Sequence, residues 1–390
     1  MTGGDGYCGW PSALALATIG HEVTIVDNLI RRRWDRELGI STLTPIRTLD
    51  ERLAAWHRRG GAPVAFVNCD VTDYPALRET FARLRPESIV HFAQQRSAPF
   101  SMIDRDRAVE TLVNNTVGNL NVLWAMHEVA PDAHLVKLGT MGEYGTPNIQ
   151  IEEGFITIEH KGRSDTLPFP KQPNSFYHLT KVSDSDQIFF ACKAWKLRAT
   201  DLNQGVVYGL ETDETPADSP LVNRFDYDGI FGTVLNRFCV EAALGYPLTV
   251  YGKGGQTRAF LNIRDTVRCV ALAVSSPAER GEFRVFNQFT EIFSVLELGE
   301  RVKRVGATMG YDVTLEHVDN PRTEREAHYY STINEHLLGL GLRPHVLDDA
   351  TVGSLIAAAA ANRARIDPAQ IAATVRWAGP APAAAGAPAP

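Results

Sequence analysis

Tyr177 and Lys181 stand four residues apart, a spacing that puts both on one face of a helix. An ammonium beside a phenol lowers its pKa toward neutrality, so the tyrosinate can take a proton from a substrate hydroxyl while hydride leaves the adjacent carbon. Thr140 adds a second hydrogen-bonding group for the reacting oxygen. Taken alone, such a pair reads equally as a solvated helix contact. The amino-terminal Gly3-x-x-Gly6-x-x-Gly9 tips the balance, because a glycine loop leading into a helix receives the pyrophosphate of a dinucleotide.

The glycines permit a tight turn and close approach of backbone to phosphate, so Gly3, Gly6 and Gly9, with Tyr7 and Cys8 between them, are cofactor-contact candidates. Asp27 ends the strand-like Val23-Thr24-Ile25-Val26, where a carboxylate binds an adenosine ribose and repels a 2′-phosphate. That favours NAD. Arg31, Arg32 and Arg33 are the counter-signal, since an arginine near this point accepts NADP; they read also as a solvated helix start. Asn28 and Arg31 join the cofactor set. So do Asp70 and Val71, placed to reach adenine, although an aspartate there serves as well in a turn.

These groups need a scaffold. Short apolar runs alternate with helical patterns through the first half, as in βαβ units around a parallel sheet. The sequence predicts strands over 22–26, 64–68, 88–92, 134–138 and 198–202, and helices over 10–19, 74–84, 113–129 and 175–194. The expected fold class is therefore α/β, a Rossmann-type doubly wound parallel sheet with a smaller carboxyl-terminal substrate-binding lobe. Residues 1–207 would form mainly the dinucleotide domain and 208–378 mainly the substrate lobe, with the chain free to cross back; the Ala/Pro run 379–390 cannot bury enough surface to order itself. Only Met1 and Thr2 precede the glycine loop, so the first strand looks truncated and its neighbours are expected to carry unpaired groups. A start downstream of the natural one, or a shortened chain, would explain this.

The 390 residues, 44% hydrophobic, can bury a large core, and a net charge of -7 argues against a nucleic-acid surface. Five cysteines, odd in number and without a CxxC pair, read as reduced. No apolar stretch approaches bilayer length and no motif suggests a metal, so the chain is expected to be cytoplasmic, without membrane insertion.

Taken together, Thr2-Gly3-Gly4-x-Gly6-x-x-Gly9, Asp27, Thr140 and Tyr177-x-x-x-Lys181 resemble the extended short-chain dehydrogenase/reductases that modify nucleotide sugars. Longer stretches are similar to one branch of that family, the UDP-sulfoquinovose synthases: Gly4-Asp-Gly-Tyr-Cys-Gly-Trp10, Gln95-Arg-Ser-Ala-Pro99, Ser101-Met-Ile-Asp-Arg105, Leu135-Val-Lys-Leu-Gly-Thr-Met-Gly-Glu-Tyr-Gly-Thr-Pro147, Asp201-Leu-Asn-Gln-Gly-Val-Val-Tyr-Gly209 and Val250-Tyr-Gly-Lys-Gly-Gly-Gln-Thr-Arg258. The resemblance implies oxidation of UDP-glucose at C4 by NAD, loss of water across C5 and C6, addition of sulfite at C6 and reduction at C4, yielding a sulfonated sugar of the kind used in sulfolipid. A 4-epimerase or 4,6-dehydratase of the same superfamily, or an inactive binding homologue, would share much of the pattern.

By the same resemblance Tyr177 is the C4 base, Lys181 tunes it and holds the nicotinamide ribose, and Thr140 hydrogen-bonds the C4 oxygen. Related dehydratases place an Asp-Glu pair directly after this threonine, where Met141 and Gly142 stand here. Candidates for the elimination are then Glu143 and His178, the latter equally a partly buried helix histidine. For UDP, the family positions point to Arg258 and Arg322, extended by Asn236, Arg237, Thr249 and Tyr251, while Gln204 borders the sugar. Arg96 can meet sulfite or, failing that, cofactor or a sugar hydroxyl. Relatives pair through a four-helix interface, so a homodimer is expected, and the reaction leaves room for a sulfite-delivering protein.

Overall fold

The computed structural model describes residues 1–377 apart from 218 and 326, so the predicted tail 379–390 lies outside the described residues. Helix α1 (Gly9–Thr18) leaves the glycine loop and is followed by β1 (Val23–Asp27), α2 (Ile30–Leu38), α3 (Leu49–Arg58), β2 (Val64–Asn68), α4 (Tyr74–Leu84) and β3 (Ser88–His91). Next come α5 (Arg105–Leu112), a π-helical turn (Val113–Val117), α6 (Gly118–Val129), β4 (His134–Thr140), the exposed hairpin strands β5 (Phe155–His160) and β6 (Arg163–Pro168), α7 (Phe176–Trp195) and β7 (Arg198–Gln204). The second half adds β8 (Val206–Tyr208), α8 (Val234–Leu244), β9 (Leu248–Tyr251), β10 (Thr257–Asn262), α9 (Ile263–Ser275), β11 (Phe283–Gln288), β12 (Glu291–Ser294), α10 (Val295–Thr308), β13 (Leu315–Val318), α11 (Glu335–Gly339) and α12 (Asp349–Ala361).

Local chemistry starts several helices. Thr48 and Glu51 close a capping box on α3, Asp73 and Pro75 open α4, and Ser175 Oγ accepts from His178 N at 3.2 Å to open α7. The main sheet is parallel throughout, with β2 beside β1 and the order β3-β4-β7-β11 on the other flank. One apolar layer packs α4, α6 and α7 on one face, another packs α1, α3 and α9 on the opposite face, and a separate core gathers α8, α10 and α12. From that second core the chain returns to the main sheet as β11.

The expected gap at the first strand is filled in part, by a single bridging residue. Thr2 bridges to Val26 on one side and His91 on the other. Thr2 N donates to Val90 O and Phe92 N to Thr2 O, both at 2.9 Å, while Val26 N donates to Met1 O at 2.8 Å. Two residues thus join β1 to β3 where the glycine loop departs. The helix predicted over 113–129 is also revised: its first turn is π-helical and continues α5. That wider turn points Asn115 inward, where its side chain bonds Gln95 backbone N and O and Thr180 Oγ1.

His91 is fully buried, with Nδ1 2.7 Å from Thr2 Oγ1; burial, then Lys181 and Lys137, lower its pKa from 6.5 to about 3. It is neutral when folded and gains a proton more readily when unfolded. Its stabilising contribution is therefore present above pH 6.5 and lost as pH falls toward 3, at about 1.4 kcal/mol per pH unit. A His91→Gln variant should show a shallower decline of Tm with acidification over that window. Equal slopes for the two proteins would refute this assignment.

Candidate active site

The carboxyl ends of the parallel strands open onto a cleft of about 440 Å³. Tyr177, His178 and Lys181 line it from the start of α7, and Thr140 from the end of β4. Tyr177 N donates to Ser101 Oγ at 3.1 Å, and Lys181 Nζ donates to Leu138 O at 2.6 Å and to Gln94 Oε1. The ammonium lies 5.8 Å from the centre of the Tyr177 ring. Burial pushes the phenol up to about 12, and the cation that opposes this most is Lys137 rather than Lys181, with Thr140 adding a hydrogen bond. Lys181 is lowered to about 8, first by burial and then by Lys137.

His178 presents Nε2 to the backbone of Gly142, where a Cβ would lie 2.3 Å from it. Its Nδ1 sits 2.8 Å from Ser175 Oγ. Burial, then Arg322 and Arg258, lower its pKa to about 3, so the imidazole is neutral at physiological pH. Glu143, the other elimination candidate, is corrected: it is fully buried and does not line the cleft. Its carboxylate lies 2.6 Å from Lys171 Nζ and 3.5 Å from Lys137 Nζ, and accepts from Ser185 Oγ at 3.1 Å and Thr140 N at 3.4 Å. Burial acts to raise its pKa, but Lys137 and Lys171 hold it below the usual range. Glu143 therefore shapes the Thr140 turn from behind the cleft lining.

At the amino-terminal end, Gly3, Gly6, Tyr7, Cys8, Gly9, Asp27, Asn28, Arg31 and Val71 line the same cleft. Gly3 adopts φ +77° and a Cβ there would fall 2.4 Å from Phe92 C; a Cβ on Gly9 would fall 2.1 Å from Gly3 O. At Gly6 the nearest such contact is 3.4 Å, which leaves room for phosphate beside an α1 start that carries no side-chain cap. The residues fit a dinucleotide. Asp27 accepts from Asp5 N at 3.0 Å and Leu29 N at 2.7 Å, and burial raises it to about 6. The arginine counter-signal is spent on protein carboxylates: Arg31 on Asp35 and Asp226, Arg32 on Asp5, Arg33 on Glu37 and Glu110. Asp70 is corrected, because it lies behind the lining and bonds Asn28 Nδ2 and Thr72 instead.

Arg237, Tyr251, Arg258 and Arg322 line the opposite end, with the Arg237 guanidinium 4.1 Å from the Tyr251 ring centre and Arg258 paired to Glu324. Gln204 lines the middle and donates to Thr266 Oγ1 and Gln288 Oε1, each at 3.1 Å. Two residues expected here do not reach the cleft: Asn236 donates to Asp226 O at 3.0 Å, and Thr249 is bonded through N and Oγ1 to Glu241. Arg96 lines the cleft 2.6 Å from Asp226, a carboxylate it shares with Arg31 and Arg224. Sequence reading missed Gln94, the Asp228–Phe231 loop and Trp377, which lines the cleft beside Arg322. None carries a spacing signal; each is placed by chain crossings.

Among the described residues no His, Cys, Asp and Glu are grouped to hold a metal ion, and no helix is long and apolar enough to cross a membrane. The fold and cleft define a class. The profile of the NAD dependent epimerase/dehydratase family matches residues 1–287, and the chain belongs to that family; its cofactor is NAD. More particular is its likeness to a UDP-sulfoquinovose synthase of Spinacia oleracea chloroplasts, 56% identical over 377 residues, or 97% of this chain and 78% of that protein. The UDP-sulfoquinovose synthase of Sulfolobus acidocaldarius is 45% identical over 345 residues, 88% of each chain. Among solved structures, a UDP-glucose-4-epimerase from Stenotrophomonas maltophila with bound NAD and formylated UDP-arabinopyranose matches with TM-score 0.69 at 20% identity, covering 93% of this chain and 97% of that one. At that identity it shows the fold alone.

Gly9→Ala forces a methyl against Gly3 O and should weaken NAD binding by at least roughly tenfold, or about 1.4 kcal/mol, in titration calorimetry. Unchanged affinity would place the pyrophosphate elsewhere.

Proposed function

We propose that this protein converts UDP-glucose and sulfite into UDP-sulfoquinovose and regenerates its NAD within each cycle. The carrying observation is one cleft in which buried Tyr177 and Lys181, with the half-buried Thr140, face a neutral imidazole lodged over Gly142. The high identity to two synthases over most of the chain supports the same reading. NAD supplies the two-electron acceptor and donor at sugar C4. Tyr177 Oη, in its phenolate form, takes the O4 proton, with Thr140 bonded to the same oxygen. The resulting ketone acidifies the C5 proton, which His178 Nε2 removes and passes to the hydroxide leaving C6 as water. Bisulfite then forms a C–S bond at C6 and supplies the proton that returns to C5; Tyr177 returns its own to O4.

Met141 and Gly142 stand where dehydratases carry two carboxylates, and only the absence of a side chain at Gly142 lets His178 occupy that space. Burial is the main cause that keeps His178 neutral, and a diphosphate held by Arg258 and Arg322 would offset only the smaller effect of those two charges. Arg96, oriented by Asp226, is the cation this reading sets toward sulfite.

Incubation with UDP-glucose and sulfite should yield a sulfonated UDP-sugar by mass spectrometry, and Tyr177→Phe should slow it by roughly 10² or more. A product without sulfur sinks the reading. In the same assay Arg96→Ala should raise the sulfite concentration needed for half-maximal rate; an unchanged sulfite dependence removes Arg96 from the role.

We also propose a homodimer. Val109, Val113, Val117, Leu120 and Trp124 form an exposed apolar stripe along α5 and α6, beside exposed Phe176, Leu179 and Phe190 on α7. Leu120→Glu with Leu179→Glu should halve the mass measured by sedimentation, and an unaltered mass would exclude this face.

A further inference from the structure

Lys137 sits in the middle of β4, one of the two inner strands of the flank β3-β4-β7-β11, with no exposed surface. Its register partners are His91 on β3 and Asp201 on β7. The ammonium lies 3.3 Å from Asp201 Oδ2, 3.5 Å from Glu143 Oε1, 3.4 Å from Ser185 Oγ and 3.5 Å from Lys181 O. Around it, Lys137, Lys171 and Lys181 balance Glu143, Asp184 and Asp201, all buried except the partly exposed Lys171.

Structure alone explains this poorly. A buried ion pair replaced by packed apolar residues is often no less stable, so a sheet interior has no need of an ammonium. Two features link it to the site above. Glu143, held by Lys137, also accepts from Thr140 N and so shapes the turn that presents Thr140. Lys181 meanwhile spends its own donors on neutral oxygens, Leu138 O and Gln94 Oε1, while Lys171 meets Glu143 and Lys137 lies between Glu143 and Asp201.

We infer that Lys137 is a positioning residue for the oxidation at C4: its ammonium ties the Thr140 turn, through Glu143, to Ser185 Oγ and Lys181 O of the Tyr177 helix. The inference rests on the function proposed above. The electrostatics agree in direction, for burial works to lower Lys137 but Asp201, Glu143 and Asp184 raise it, and Lys137 is the first cation acting to lower Tyr177. The groups that also face the phenol and its cluster are His91 from β3, Glu143 from the turn, Lys181 and Asp184 from α7, Asp201 from β7, Lys171, and Arg96 across the cleft.

The test uses the NAD-loaded protein and follows the near-ultraviolet absorbance of reduced nicotinamide after UDP-glucose is added, across pH. No reduction by the unmodified protein would remove the proposed function itself. Given that reduction, Lys137→Met combined with Asp201→Asn removes one charge of each sign and should bind UDP-glucose with little change, yet reduce NAD roughly tenfold more slowly at neutral pH, with the half-maximal pH about one unit higher. Asp201→Asn alone, which keeps the ammonium, should move that pH down and reports even if the double variant does not fold. A folded double variant with unmoved rate and profile, or an Asp201→Asn profile unmoved or shifted upward, overturns the role of Lys137.

Discussion

A single buried carboxylate, that of Glu143, holds together the elements that carry the candidate catalytic residues. It has no access to water, so its charge must be met by protein groups, and these arrive from Lys137 on β4, Thr140 N at the strand end, Lys171 on the following loop and Ser185 on α7. Removing one partner of such a buried pair typically costs about 3–5 kcal/mol, because an unpaired charge is left behind. Satisfying one anion therefore fixes strand, turn and helix relative to one another, and with them Thr140, Tyr177 and Lys181.

The cleft above divides its cations in two. Arg31, Arg96 and Arg224 converge on Asp226, and burial of that carboxylate, which acts to raise its pKa, is outweighed by the three guanidiniums. Arg237, Arg258 and Arg322 gather at the far end around Tyr251 and Trp377. A chain of net charge -7 thus concentrates positive charge on one interior surface, where anionic groups meet it away from bulk screening. The carboxyl-terminal segment completes the wall: Gly229 N donates to Gln370 O at 2.8 Å and Trp377 N to Pro321 O at 2.9 Å.

Much of this was legible in the chain. Strand 64–68 and helix 74–84 fall where apolar periodicity and the Asp73-Tyr74-Pro75 start signal place them, since those signals act over one or two turns. Tyr177 and Lys181 share a face because helical spacing requires it. Illegible were the pairing of Thr2 with both neighbours, the π-turn at Val113–Val117 and the burial of Glu143. Each depends on a partner far along the chain, and local pattern carries no record of distant partners.

The amino-acid order by itself determined the alternation of strand and helix, the glycines that exclude side chains at the α1 start, and the residue types available for proton transfer. Tertiary structure alone decided which cation acts most on the phenol, which elimination candidate reaches the cleft, and which arginines are already paired. The physical reason is range. Propensity and periodicity act between neighbours, whereas desolvation and Coulomb interactions act between groups such as Lys137 and Asp201 that only the folded sheet brings to 3.3 Å.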